Sequence, residues 1–178
     1  MTATRLVSGT AIFNVPGSTT NLDQSSGNLG GTATFTINGP STFSGGTWGE
    51  TANRGGTTVL GPGSTLTMGG TSYTSLNYDR TLINQGTITY TGPSYYFGMY
   101  GGATVNNAGT FDVQTDLSLV NSGTNGFNNS GTFVKSSGTA ATTIGFPFNN
   151  SGIVRAQAGS LAFNGGFTQS AGTTSLEG

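Results

Sequence analysis

The sequence predicts an all-β chain wound as a parallel β-helix, a β-solenoid of about 7–8 coils of 20–23 residues. Three observations predict it. A Gly-anchored motif recurs along the chain at near-regular intervals. Apolar and polar residues alternate after each anchor. Gly and Asn crowd the corners between the apolar runs.

The repeat comes first, because self-similarity at a period of 20–50 residues marks a stacked architecture. Its clearest copies are Val105-Asn106-Asn107-Ala108-Gly109-Thr110-Phe111 and Phe127-Asn128-Asn129-Ser130-Gly131-Thr132-Phe133. Phe148-Asn149-Asn150-Ser151-Gly152-Ile153-Val154 follows, then the looser Phe167-Thr168-Gln169-Ser170-Ala171-Gly172-Thr173. Upstream, Leu82-Ile83-Asn84-Gln85-Gly86-Thr87-Ile88 fits, as do the Gly-Thr pairs at Gly9, Gly31 and Gly56. Anchored on that Gly, the intervals are 22, 25, 30, 23, 22, 21 and 20 residues.

The strand elements follow from the alternation, whose period is two. The positions two and four beyond each anchor include Ala33 and Phe35, Ile88 and Tyr90, Phe111 and Val113, Phe133 and Lys135. This face points inward. Between them runs an outward column that includes Thr87, Thr110 and Thr132. Nearly every repeat adds a second apolar patch, such as Leu117 with Leu119 or Leu161 with Phe163. The residue four before the anchor supplies a third inward contact at Leu82, Val105, Phe127 and Phe148. Two or three short strands per ~21 residues, stacked at ~4.8 Å, describe one solenoid coil. A β-sandwich would place strands every 8–12 residues without this longer repeat.

The corners come next. Asn106, Asn107, Asn128, Asn129, Asn149 and Asn150 recur at one corner of successive coils, where stacked amides form a structural ladder. Asn tolerates a left-handed backbone and Gly adopts positive φ freely, so both suit a tight corner. Asn128-Asn129-Ser130 and Asn149-Asn150-Ser151 also read as N-glycosylation sequons, but their place in the repeat already explains them.

Composition narrows the function. The 178 residues include 32 Gly, 6% charged residues, no Cys and no His, with a net charge of −1. Without Cys or His there is no zinc finger, thiolate nucleophile or Ser-His-Asp triad. Five basic residues leave no electrostatic footprint for nucleic acid. No apolar run approaches the ~20 residues of a membrane-spanning helix, so no membrane insertion is expected of this segment. Leu, Ile, Val and Phe make up about a fifth of the chain, near the disorder threshold, but the net charge is far too small for charge-driven disorder.

The Asn-Asn-Ser/Ala-Gly-Thr-Phe repeats resemble those of bacterial right-handed β-helices, as in autotransporter passenger domains and filamentous-haemagglutinin-type adhesins. The resemblance covers most of the chain and implies a secreted or cell-surface protein whose solenoid is a stalk or adhesive shaft. It names no ligand. The calcium-binding Gly-Gly-x-Gly-x-Asp repeat is absent, so no metal or other cofactor is expected.

Catalysis on such a scaffold needs clustered carboxylates. The six acids are Asp23, Glu50, Asp79, Asp112, Asp116 and Glu177, and only neighbouring loops could pair two across a glycosidic bond. No catalytic residue is assigned, and no enzyme is expected. Outward Thr-x-Thr rows of the kind that bind ice hold at Thr32 and Thr34 and at Thr87 and Thr89, but break at Asp112 and Arg155.

The region from 31 to 108 is expected to hold irregular coils with extended loops, and 109 to 178 regular ones, within a single solenoid domain 1–178 cut from a longer array. All six Tyr and the only Trp lie between residues 48 and 100. Loops on a rigid scaffold collect binding residues, and Tyr and Trp stack on sugars or apolar surfaces while their polar ends stay wet. Trp48, Tyr73, Tyr78, Tyr95, Tyr96 and Tyr100 are therefore the candidate ligand-binding residues. The expected role is a non-enzymatic stalk or spacer of an extracellular or cell-surface protein. The alternatives are an adhesin module that binds a surface glycan or a host or neighbouring-cell protein, and a filament subunit that self-associates end to end.

Overall fold

The computed structural model describes residues 3–177 and is an all-β parallel solenoid of about eight turns. Every described strand pairs in parallel with strands one coil before or after it, in three sheets of nine, eight and eight strands. Sheet I runs from Thr4–Leu6 to Thr173–Leu176, sheet II from Thr10–Ile12 to Ser160–Phe163, and sheet III from Gly17–Thr19 to Phe167–Gln169. One coil is one strand from each sheet, joined by three corners.

Register fixes the true coil length. Arg5, Asp23, Thr42, Thr67, Thr89, Asp112, Val134, Arg155 and Ser175 form one outward column of sheet I. Successive coils therefore advance by 18, 19, 25, 22, 23, 22, 21 and 20 residues along that column. The 30-residue interval expected between Gly56 and Gly86 is not a coil. Thr57, after Gly56, pairs with Thr81 on sheet III, whereas Thr87, after Gly86, pairs with Thr65 on sheet I. The two glycines stand at different corners. The longest coil is instead the one from Thr42 to Thr67, which carries a loop between Gly46–Trp48 and Thr57–Leu60.

Alternation builds the core as expected. In sheet I, Leu66, Ile88, Phe111, Phe133 and Val154 face inward on successive coils and are at most 1% exposed. In sheet III, Phe127 and Phe148 do the same. Because strands stack at about 4.8 Å, rings within a sheet can lie face to face. Phe127 and Phe148 have centroids 4.9 Å apart at 9°, and Phe111 and Phe133 5.5 Å apart at 18°. Across the core the rings meet edge on, as Phe127 and Phe133 do at 82°. Burying each such side chain contributes about 2–3 kcal/mol, so stability accrues coil by coil.

The corner glycines divide into two kinds, and Gly9, Gly31, Gly56 and Gly172 have the positive φ expected of a tight corner. Gly86, Gly109, Gly131 and Gly152 are not among the residues with positive φ. A Cβ at Gly109, Gly131 or Gly152 would instead collide with the carbonyl oxygen of the corner Gly one coil earlier. Close stacking of backbones requires Gly there, not a left-handed turn. The paired Asn residues likewise lie inside strands, and the only described non-Gly residues with positive φ are Tyr78 at 56° and Asp79 at 60°.

Within each pair the two Asn face opposite ways. The second of each pair is buried, and the resulting inner ladder starts at Asn84. Its amides run in one direction: Asn84 Nδ2 donates to Asn107 Oδ1 at 2.6 Å, Asn107 to Asn129 at 2.7 Å, and Asn129 to Asn150 at 2.8 Å. Each Nδ2 also donates to a carbonyl around the corner on sheet I, at Thr110, Thr132 and Ile153. Both N–H donors of a buried amide are thus used, which is the condition for burying one without penalty. The first of each pair faces out, and Asn128 and Asn149 donate backwards, to Asn106 at 2.9 Å and to Asn128 at 3.0 Å.

Two cations lie in the interior. Arg80 is fully buried and donates to Gly31 O at 2.8 Å, to Thr58 Oγ1 at 3.0 and 3.2 Å, and to Thr57 O at 3.4 Å. Those neutral acceptors leave its charge poorly compensated, and burial lowers its pKa to about 10. Lys135, which the alternation places inward, donates to Asp116 Oδ1 at 2.7 Å and to the Thr115 and Ser137 carbonyls at 2.9 Å.

Candidate functional site

Four of the six candidate aromatics meet in one patch beside two adjacent strands of sheet II. Tyr73 precedes the strand Thr74–Asn77, and Tyr95 and Tyr96 precede Phe97–Tyr100 on the next coil. Thr74 pairs with Phe97, so Tyr73 and Tyr96 stand one above the other at the entry to adjacent strands. The Tyr73 ring lies 4.6 Å from Tyr95 and 5.0 Å from Tyr96. Tyr73 is 52% exposed and Tyr96 36%.

Tyr100 closes the cluster from the other end of its strand. Its ring folds back over Gly98, where a Cβ would overlap it. Gly98 is the residue that allows this, and no repeat marks it in the sequence. Burial, a hydrogen bond with Tyr96 and the nearby Tyr96 and Tyr73 hydroxyls push the Tyr100 phenol up to about 12. The sixth tyrosine, Tyr90, belongs to the core, as its place in the inward alternation indicates. Its buried hydroxyl accepts the Phe97 amide at 3.0 Å and so pins the chain immediately after Tyr95 and Tyr96.

The two remaining candidates separate from this group. Trp48 is 1% exposed, so the expectation of a ligand-facing indole on a loop is corrected. It lies at the end of a sheet II strand, stacks on Phe43 at 4.6 Å and 10°, and donates Nε1 to Gln24 Oε1 at 2.8 Å. Its position pairs with the inward Leu29 and Leu76, which explains why it packs inside. Tyr78 sits at the left-handed corner after Thr74–Asn77, under the Arg54 guanidinium at 5.7 Å. Arg54 also pairs with Asp79 at 2.8 Å and donates to Gly101 O at 3.3 Å, which straps the long loop to the two following coils.

The acids do not converge. Asp23, Asp79, Asp116 and Glu177 each face one cation: Arg5, Arg54, Lys135 and Arg155. Glu50 accepts from the Ala52 and Asn53 amides and the Asn53 side chain, which hold its pKa below the ordinary carboxylate value. Asp112 accepts from Gln114 and Ser136. Among the described residues no three Asp or Glu side chains gather as metal ligands would, and no helix is long and apolar enough to cross a membrane.

Architecture and site together define a parallel β-solenoid with a tyrosine cluster on one sheet. No family model matches the chain, and no curated protein or solved structure matches it.

Proposed function

We propose that this chain is a non-enzymatic stalk or spacer segment of a large secreted or cell-surface protein, of the kind found in autotransporter passengers and filamentous-haemagglutinin-type adhesins. The observation that carries the reading is the continuity of three parallel sheets along the described chain, each coil bonded to the next. Such a stack carries load from coil to coil through its nearest-neighbour backbone ladders. Pulling the chain between two handle domains tests it. A spacer yields in coil-sized steps at sustained force; a single low-force collapse would overturn the reading.

The convergence of Tyr73, Tyr95, Tyr96 and Tyr100 favours a second reading, an adhesin module that binds a glycan or a protein through that patch. A glycan array probed with wild type and with Tyr95→Ala/Tyr96→Ala separates the two. Binding lost in the double variant supports the patch, and binding indifferent to it removes the patch from consideration.

A further inference from the structure

We propose that the groove along Asn106, Asn128 and Asn149 binds a neutral, extended polysaccharide lying parallel to the solenoid axis. The groove encloses about 280 Å³ and has an amide row on one side and Ser130, Ser151 and Ser170 on the other. It is distinct from the tyrosine cluster, since it belongs to sheet III and its corner with sheet I rather than to sheet II.

Hydrogen-bonding capacity points to the ligand. Asn128 Nδ2 donates once, to Asn106 Oδ1, and Asn128 Oδ1 accepts once, from Asn149 Nδ2. An amide has two donors and two lone pairs, so this mid-ladder side chain keeps one N–H and one acceptor site free at an exposed position. The serines are complementary. Ser130, Ser151 and Ser170 turn their O–H groups back onto the carbonyls of Asn107, Asn129 and Asn150 at 3.3–3.4 Å, which leaves hydroxyl lone pairs for an outside donor. Donor and acceptor therefore stand side by side on two successive coils, Asn128 with Ser130 and Asn149 with Ser151, flanked by Asn106 on the coil before and Ser170 on the coil after.

Spacing and charge select among ligands. The rungs repeat at about 4.8 Å, the strand separation of a sheet. A β-1,4-linked pyranose chain advances by nearly that distance per sugar and offers hydroxyls that both donate and accept. An extended peptide advances by about 3.4 Å per residue and falls out of step. No ionisable side chain lines the groove, so it recognises a neutral chain and not a uronate or nucleic acid. The outer ladder also holds its amides in place before any ligand arrives, which lowers the ordering cost of binding.

Titration of ¹⁵N-labelled protein with cellotetraose, read at the Asn side-chain amide signals, tests the proposal. Shifts at Asn106, Asn128 and Asn149 are expected, with weaker shifts from the curved α-linked maltotetraose. Asn128→Val is the informative variant, because Val59 and Ile83 already occupy the same outward column and the fold accepts an apolar residue there. It should weaken cellotetraose binding about tenfold, the effect of losing roughly one hydrogen-bonded pair. Tyr95→Ala/Tyr96→Ala should leave it unchanged, which separates this groove from the aromatic patch. Absence of shifts in wild type, unchanged binding in Asn128→Val, or equal binding of maltotetraose would each overturn the proposal.

Discussion

Asn107 donates through Nδ2 to Oδ1 of Asn129, one coil further on, at 2.7 Å, with both side chains 1% exposed. Beside it Asn128 donates to Asn106 in the opposite sense. Neighbouring residues of one strand thus feed two amide ladders that run in opposite directions, one in the core and one on the surface.

Burial should separate their energetics. Asn129→Ala leaves one Asn107 N–H without an acceptor inside the core, while Asn107 keeps the Thr132 carbonyl and Asn150 Oδ1 keeps the Gly152 amide, so the cost is about 1–3 kcal/mol for one unsatisfied donor. Asn128→Ala frees Asn106 Oδ1 and an Asn149 N–H at the surface, where water replaces the lost partner, and should change stability by about 0.5 kcal/mol or less. Chemical denaturation of the two variants gives the comparison, and equal midpoints would refute the distinction.

Lys135 and Asp116 set the acid limb of stability. The Lys135 ammonium, at 2.7 Å, holds the Asp116 carboxyl below its ordinary value of 3.8. A carboxylate with a depressed folded pKa contributes stability above the unfolded pKa and loses it as pH falls through the folded one. Asp116→Asn should therefore be less stable than wild type at neutral pH. The gap should narrow as pH falls below 3.8, where the unfolded side chain takes up its proton, and close once pH passes the lower folded pKa and the native carboxyl is neutral too. Thermal midpoints measured across pH for both proteins show whether it does. Glu50 and Glu177 are depressed too, and because they titrate in both proteins the difference isolates Asp116.

The solenoid was legible because its repeat lies in the residues that stack, such as Phe111 on Phe133 and Asn107 on Asn129. Register in the first half was not, since each coil has three corners and Gly-Thr marks more than one of them. Gly56-Thr57 and Gly86-Thr87 look alike yet enter different sheets. Trp48 was misplaced for the same reason. Without the correct register its pairing with Leu29 and Leu76 is invisible, and an isolated Trp beside Gly resembles a loop residue. The tyrosine cluster was half legible. Composition marks the region, but the meeting of Tyr73 with Tyr95 and Tyr96 depends on adjacent coils, and Tyr100 joins them only through the missing side chain of Gly98.

Thr74 is a local flaw that substitution should repair. It occupies an inward column of sheet II continued by Phe97, Leu119 and Ile144, and its buried Oγ1 has no hydrogen-bond partner. Valine has nearly the same shape and no hydroxyl to desolvate. Thr74→Val should stabilise the chain by about 1 kcal/mol, seen as a higher denaturation midpoint. A fall in the midpoint would show that the hydroxyl has a role in the folded chain.

Gly98 should control the tyrosine cluster without belonging to it. A Cβ at that position overlaps the Tyr100 ring, so Gly98→Ala must lift the ring off the sheet. Lifting it restores water to the phenol and breaks its contact with Tyr96, the two main causes that push its pKa up to about 12. Tyrosinate absorbance should then show one fewer high-pKa phenol, with Tyr90 still titrating near 12 because the core holds it. The sign of the linkage follows. A phenol whose folded pKa exceeds its unfolded value of 10.0 costs the fold stability as pH rises from there toward 12. Gly98→Ala should accordingly lose less stability than wild type over that interval, whatever its offset at neutral pH. An unchanged titration curve would mean that Tyr100 is buried by something other than its seat on Gly98.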